Sequence, residues 1–483
     1  MLFFLACIPG WLTISKGIST PFDELAHFDY ADKLAHLEMP KVNEPYGQRT
    51  LGMVACLPES GEAWAAVGPC GTEFIEPSKA PFDGQSSATP YAPTYYALLV
   101  PGYKACTSLT NIADLQCMQL SNSLLAGLSA VFLYLTLVIV GFRKITAFFA
   151  AAISVSSPAM IQQFATVNND AGAHFGSTLL VLATVKLCQV RSNGDNSEQK
   201  SKCASFMAQL DRSIIFFVFI LTSALVISIK ETIILLLPLV IALLVMTEYR
   251  SGSPHNSPKI INAVTKRFPQ RAREWIVGIF LFIGVLGVSA LIRVMQPSLR
   301  GVGGINYMNE DLKGDGKFDI TVLLTPLNHL FSSGSQIFWP LFSHPLAVTL
   351  SDLLSYLFFI GLLAWQAVDY HHRVVCPPVF TEERRSPVTT SATKMSSTGC
   401  GDLQRIFLQA LTIGIFLFPV MAVIMGVLSR IQAGYIVSQP RYYMPISLVL
   451  GAISIGLVLR RANLLVHCIL LTTLSAVFLI IYT

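Results

Sequence analysis

The residues with chemistry to offer begin in one acidic stretch, Thr20-Pro21-Phe22-Asp23-Glu24-Leu25-Ala26-His27-Phe28-Asp29-Tyr30, directly after the first apolar run. A carboxylate at a membrane surface can take the proton of an attacking hydroxyl when it lies within hydrogen-bond reach, which makes Asp23 the candidate general base and Glu24 the second choice. Being sequential, the two point in different directions in a helix or a strand and do not share one role. His27 is placed either to orient a carboxylate or to touch a phosphate. Arg441 offers a two-pronged fork to phosphate and Lys230 a point charge. Asn169 and Asp170 stand at a helix start, where they either bind the hydroxyls of an acceptor or cap the helix. Tyr95, Tyr96 and Trp339 are suited to stacking on a sugar or to the aromatic belt of a bilayer.

These residues must be positioned by membrane helices. Hydrophobic residues make up 53% of the 483 and charged residues 13%, with a mean hydropathy of +0.58, the composition of a polytopic membrane protein. A hydrocarbon core about 30 Å thick asks for about 20 apolar residues per span. Runs of that kind cover 2–18, 119–141, 145–165, 171–190, 213–229, 232–247, 275–294, 346–368, 406–429, 442–459 and 463–482. The expectation is therefore an all-α protein of about eleven transmembrane helices, forming a single transmembrane domain over 1–483. No basic residue precedes the first run and no small-x-small cleavage site follows it, which favours a retained helix over a signal peptide.

Basic residues fix the sides. Arg143 and Lys144, Arg191 to Arg212, Arg250 to Arg273, Arg373 to Arg405, and Arg460 with Arg461 all fall in alternate loops, which the positive-inside rule assigns to the cytoplasm. The small net charge of +5 thus speaks for topology and not for nucleic acid. The polar, Ser-rich stretches 191–212, 248–274 and 370–404 read as cytoplasmic linkers. Residues 19–118 become a long first extracytoplasmic loop, in which 97–109 is an interfacial or re-entrant helix and not a crossing. Residues 295–345 form a second large loop on the same side. Asp23, Glu24, His27, Asn169, Asp170, Lys230 and Arg441 all lie on that face. The ten cysteines include no metal-like spacing, and most sit in apolar runs as small buried thiols. Cys56 and Cys70 share the polar first loop, where an oxidising compartment would let them pair.

Several of these segments resemble a bacterial family of polytopic proteins within the GT-C glycosyltransferase superfamily. Phe22-Asp23-Glu24-Leu25-Ala26-His27-Phe28 is similar to that family's P-x-D-E-x-x-H segment. Pro90-Tyr91-Ala92-Pro93-Thr94-Tyr95-Tyr96 resembles Q-P-P-x-Y-Y, with the double proline interrupted. Val167-Asn168-Asn169-Asp170-Ala171 resembles V-N-x-D-A, Phe338-Trp339-Pro340 an S-F-W-G segment, and Gln439-Pro440-Arg441-Tyr442-Tyr443-Met444-Pro445 Q-G-R-Y-x-x-P. Ile229-Lys230-Glu231 stands where a Lys often precedes a helix. The matches keep their order along most of the chain. The resemblance implies an inverting transferase in a bacterial plasma membrane, taking a sugar from a polyprenyl-phosphate-linked donor to an envelope glycan or lipid-linked acceptor on the extracytoplasmic face.

The sequence has no Walker loop or Rossmann fingerprint, so a lipid-linked donor is favoured over a soluble nucleotide sugar. Asp311, Asp315 and Asp319 partly follow a calcium loop, but Lys313 and Val322 occupy ligand positions, and an acidic surface turn is the simpler reading. A divalent cation is thus the one cofactor left open. Two rivals stand beside the enzyme: a transporter or flippase for a lipid-linked saccharide, and a non-catalytic partner in polysaccharide assembly. A transporter should show repeat symmetry and ionisable residues near the bilayer middle.

Overall fold

The computed structural model describes residues 1–15, 24–41, 44–56, 69–80, 84–89, 91–194, 218–251, 398–433 and 443–459. Among these residues the fold is all-α, with no strand beyond an isolated bridge between Pro45 and Gln85. The helices are α1 (Leu2–Ser15), α2 (Glu24–Ala35), α3 (Gln48–Ala55), α4 (Pro93–Leu109), α5 (Asp114–Val140), α6 (Lys144–Val155), α7 (Pro158–Ala165) and α8 (Asn169–Gly194). They continue with α9 (Val218–Ile229), α10 (Leu237–Ser251), α11 (Thr398–Ala433) and α12 (Met444–Leu459). Short 3-10 turns occupy Pro77–Lys79 and Glu231–Leu236.

Among the described residues, two helices, Asp114–Val140 and Asn169–Val190, are long and apolar enough to cross a membrane. α5 is the hub, packing on α1, α4, α6, α7 and α8. Its contact with α1 depends on small residues: a Cβ on Gly127 would stand 2.6 Å from the Phe3 ring and 2.9 Å from Cys7 Sγ. α5 stops at Gly141, whose φ of 104° suits glycine alone among common residues.

The stretch 145–165, continuous in hydropathy, is two helices. Pro158 lacks an N–H and holds Ser157 extended (φ −65°, ψ 144°), so α6 ends and α7 starts afresh. The first loop also differs from expectation. Its polar segment contains α2, in which every residue except Leu34 is buried. Burial is tolerated because α2's charges are met: Asp29 accepts from Gly47 N (2.8 Å), Thr50 Oγ1 (2.9 Å) and Lys33 Nζ (2.9 Å), and Asp32 from Arg49 Nε (2.8 Å) and Tyr103 OH (3.0 Å). α4 starts at Pro93, a favoured first helical position, and buries Tyr95, Tyr96, Leu99 and Tyr103.

The expected Cys56–Cys70 disulfide is formed, and a second, Cys106–Cys117, joins the end of α4 to the start of α5. Cys7 and Cys188 are buried thiols outside these disulfides, donating to the carbonyls of Ser123 and Leu243.

Candidate functional site

The site grows from Glu24, the first residue of α2. Its side chain is 0% exposed, and Oε1 accepts hydrogen bonds from Val167 N (2.7 Å) and Gln119 Nε2 (2.9 Å). Glu24 therefore ties the start of the first loop to α5 and to the turn between α7 and α8. That turn is gathered by Asn122 of α5. Its Nδ2 donates to the carbonyls of Gln163 (3.3 Å), Phe164 (3.1 Å) and Thr166 (2.6 Å), while its Oδ1 accepts from Tyr95 OH (2.9 Å). Carbonyls left over at the end of α7 are thus satisfied by one amide.

Beyond the turn, Asn168 Oδ1 accepts from Asp170 N (2.9 Å), the cap that starts α8. Capping thus belongs to Asn168, and the side chains of Asn169 and Asp170 are turned to a cation: Lys230 Nζ donates to Asn169 Oδ1 (2.8 Å) and forms an ion pair with Asp170 Oδ1. All three are buried.

Lys230 reaches this place because of two glycines. A Cβ on Gly172 would meet Ile229 at 2.7 Å and Tyr95 at 2.6 Å, and one on Gly176 would meet Val226 at 2.9 Å and Ile233 at 3.0 Å. Residues before and after Lys230 lie level with the same point on α8, so α9 and the following 3-10 turn form a tight hairpin with extended Lys230 (φ −157°, ψ 136°) at its tip. Thr94 and Ser228 share a hydrogen bond of 2.8 Å and pin α4 to the same hairpin.

His27 is 5% exposed, and its Nδ1 shares a 2.7 Å hydrogen bond with Tyr96 OH. Its ring stacks with those of Tyr91 and Tyr96, centroids 5.6 and 5.8 Å away, and Tyr30 stacks on Tyr96 at 3.9 Å. His27 thereby joins α2 to α4. Tyr95 and Tyr96 are 0% exposed, Tyr95 donating to Asn122 and Tyr96 packed against Tyr30 and His27. Burial and the nearby Asp32 charge push the Tyr103 phenol up, keeping it a donor to Asp32.

Of the expected site residues, Glu24, Asn169, Asp170 and Lys230 are linked through the Val167–Asp170 turn, with His27, Tyr95 and Tyr96 packed beside it. Asp23, Arg441, Trp339, Asp311, Asp315 and Asp319 lie outside the described residues. Gln119 and Asn122 escape sequence reasoning because they sit in an apolar run, although amides inside such a run are themselves a signal. A signal for the Lys230 hairpin that the sequence reading did not use is Gly172-Ala173-His174-Phe175-Gly176, a close-packing G-x-x-x-G. Among the described residues, no group of three or more His, Cys, Asp or Glu converges as a metal site would require. No family model, curated protein or solved structure matches this chain.

Proposed function

We propose that the chain is a GT-C-type membrane glycosyltransferase of about eleven helices, acting on the extracytoplasmic face of a bacterial plasma membrane. In this reading 19–118 and 295–345 are extracytoplasmic loops and 370–404 is a cytoplasmic linker. The donor is a polyprenyl-phosphate-linked sugar and the acceptor an envelope glycan or lipid-linked saccharide.

The observation that carries this reading is the buried meeting of Lys230, Asn169 and Asp170, tied by Val167 to Glu24. A cation held at the end of a candidate span suits a lipid phosphate arriving from the membrane. Asp23 precedes Glu24 directly. In the inverting step, Asp23 takes the acceptor hydroxyl proton, the oxygen bonds to the anomeric carbon, and the carbon–oxygen bond to phosphate breaks. The lipid phosphate leaves toward Lys230 and Arg441. Glu24, whose Oε1 is committed to two donors, acts as the anchor that keeps Asp23 in register.

Two further facts support the setting. The disulfides Cys56–Cys70 and Cys106–Cys117 both fall within 19–118, as an oxidising compartment would allow. Exposed apolar side chains line α1 (Phe4, Ile8, Trp11), α9 (Val218, Leu221, Leu225) and α11 (Ile413, Leu417, Val420, Ile424), faces suited to lipid.

The test is transfer from a polyprenyl-phosphate-linked sugar in proteoliposomes. Asp23→Asn should lower the rate by about 100-fold or more while leaving the fold intact. A transporter is the second reading, favoured by buried His174 inside the α8 candidate span. It would move the lipid-linked saccharide across the bilayer without changing its covalent structure, and transfer would then be absent from the wild type.

A further inference from the structure

Asn122 is 0% exposed and lies in α5, a candidate span, where a primary amide is costly unless its groups are met. Both of its polar atoms are engaged, and they reach different parts of the site. Nδ2 donates to the carbonyls of Gln163, Phe164 and Thr166. Thr166 leads through Val167 and Asn168 into Asn169 and Asp170, the residues that hold Lys230 from the α8 side.

Oδ1 accepts from Tyr95 OH, and Tyr95 belongs to the hairpin side. Its ring and Ile229 both lie over Gly172, where a Cβ would stand 2.6 Å from the ring and 2.7 Å from Ile229. Thr94, the residue before it, shares a 2.8 Å hydrogen bond with Ser228, two residues before Lys230. One amide therefore addresses both sides of the lysine, the turn before α8 through its nitrogen and the α9 hairpin, by way of α4, through its oxygen. Lysine is long and flexible, so its ammonium is placed only as well as the groups around it are fixed. Fixing them before a ligand arrives removes an ordering cost from binding.

We infer that Asn122 is a positioning residue for the anion site: it holds the Val167–Asp170 turn and α4 in register, so that Lys230 meets a lipid phosphate with little reordering. This rests on Lys230 as the donor-phosphate site.

The test is titration calorimetry of the full chain in nanodiscs with farnesyl monophosphate, reading both the Kd and the number of sites per chain. Tyr95→Phe removes one hydroxyl and keeps the ring over Gly172. It should raise the Kd about tenfold with the number of sites unchanged, and Asn122→Leu should raise it further. A merely structural role would lower the number of sites at unchanged Kd, and that result in Tyr95→Phe overturns the inference. So does a wild-type Kd. If Asn122→Leu does not fold, Tyr95→Phe decides alone. The Asp170→Ala/Lys230→Met double variant separates this inference from the reading beneath it. A wild-type Kd in that variant, or no binding by the wild type, removes Lys230 as the phosphate site and the role of Asn122 with it. Weakened binding there beside a wild-type Kd in Tyr95→Phe removes only the role of Asn122. Added to the double variant, Tyr95→Phe should change the Kd by less than about twofold, because the group it helps to place is gone. A further tenfold loss would show that Asn122 does not act through Lys230.

Discussion

The two ends of α2 carry charge in opposite ways. At its C-terminal end, Lys33 pairs with Asp29 and Glu44, Asp32 with Arg49, and Asp29 also accepts from Thr50 of the same loop, and the outer members Arg49 and Glu44 are 49% and 32% exposed. At its start, Glu24 binds groups 95 and 143 residues away, and the Val167 it binds adjoins a turn that meets Lys230 sixty residues further on. Everything there is buried. The first cluster neutralises charge locally and reads as a scaffold. The second brings four elements to one buried ion pair and reads as a site. Charge alone therefore does not mark function in this chain; charge that joins distant elements in an apolar setting does.

The sharpest way to break the contrast is at Asp170. Replacing it with Ala removes the carboxylate of a buried ion pair and should destabilise the protein by about 3 to 5 kcal/mol, measured by thermal unfolding in detergent. The double variant Asp170→Ala/Lys230→Met should recover much of that loss, which would show that the single suffers from breaking the pair. Opening the staple between α4 and α5 with Cys106→Ser/Cys117→Ser should lower stability by about 3 kcal/mol in the same assay, since the closed loop is short. Gly172→Val forces its side chain into Ile229 and Tyr95. The expected loss is about 1 to 3 kcal/mol, together with a larger fall in lipid-phosphate binding, because the Lys230 hairpin must move. The smallest effect belongs to the scaffold end. Arg49→Ala removes a half-exposed partner of Asp32 and should change stability by at most about 1 kcal/mol, with transfer activity unaltered. A large loss of activity from Arg49→Ala would erase the distinction between the two ends.

Sequence reading reached the second cluster more readily than the first. Asp170 and Lys230 were visible because each is an ionisable residue at the edge of an apolar run, where the cost of burial makes it conspicuous. Cys56 and Cys70 were visible as two thiols in one polar loop. α2 was not, because Asp29, Asp32 and Lys33 make it look solvated. It is buried only because their partners lie on α3, α4 and the intervening loop, and local composition cannot report those pairings. The break at Pro158 was hidden for the converse reason, since hydropathy continues across it while the backbone does not. Gln119 and Asn122 were submerged in the apolar average of α5, though each holds an essential junction. The pairing of Cys106 with Cys117 depends on α4 folding back along α5, a tertiary fact.

The most direct test of the account is a cryo-electron microscopy structure with a polyprenyl-phosphate analogue in nanodiscs. Its phosphate should lie within about 4 Å of Lys230 Nζ. A phosphate bound at the Asp29–Arg49 end of α2, or at the opposite end of α8, would contradict it.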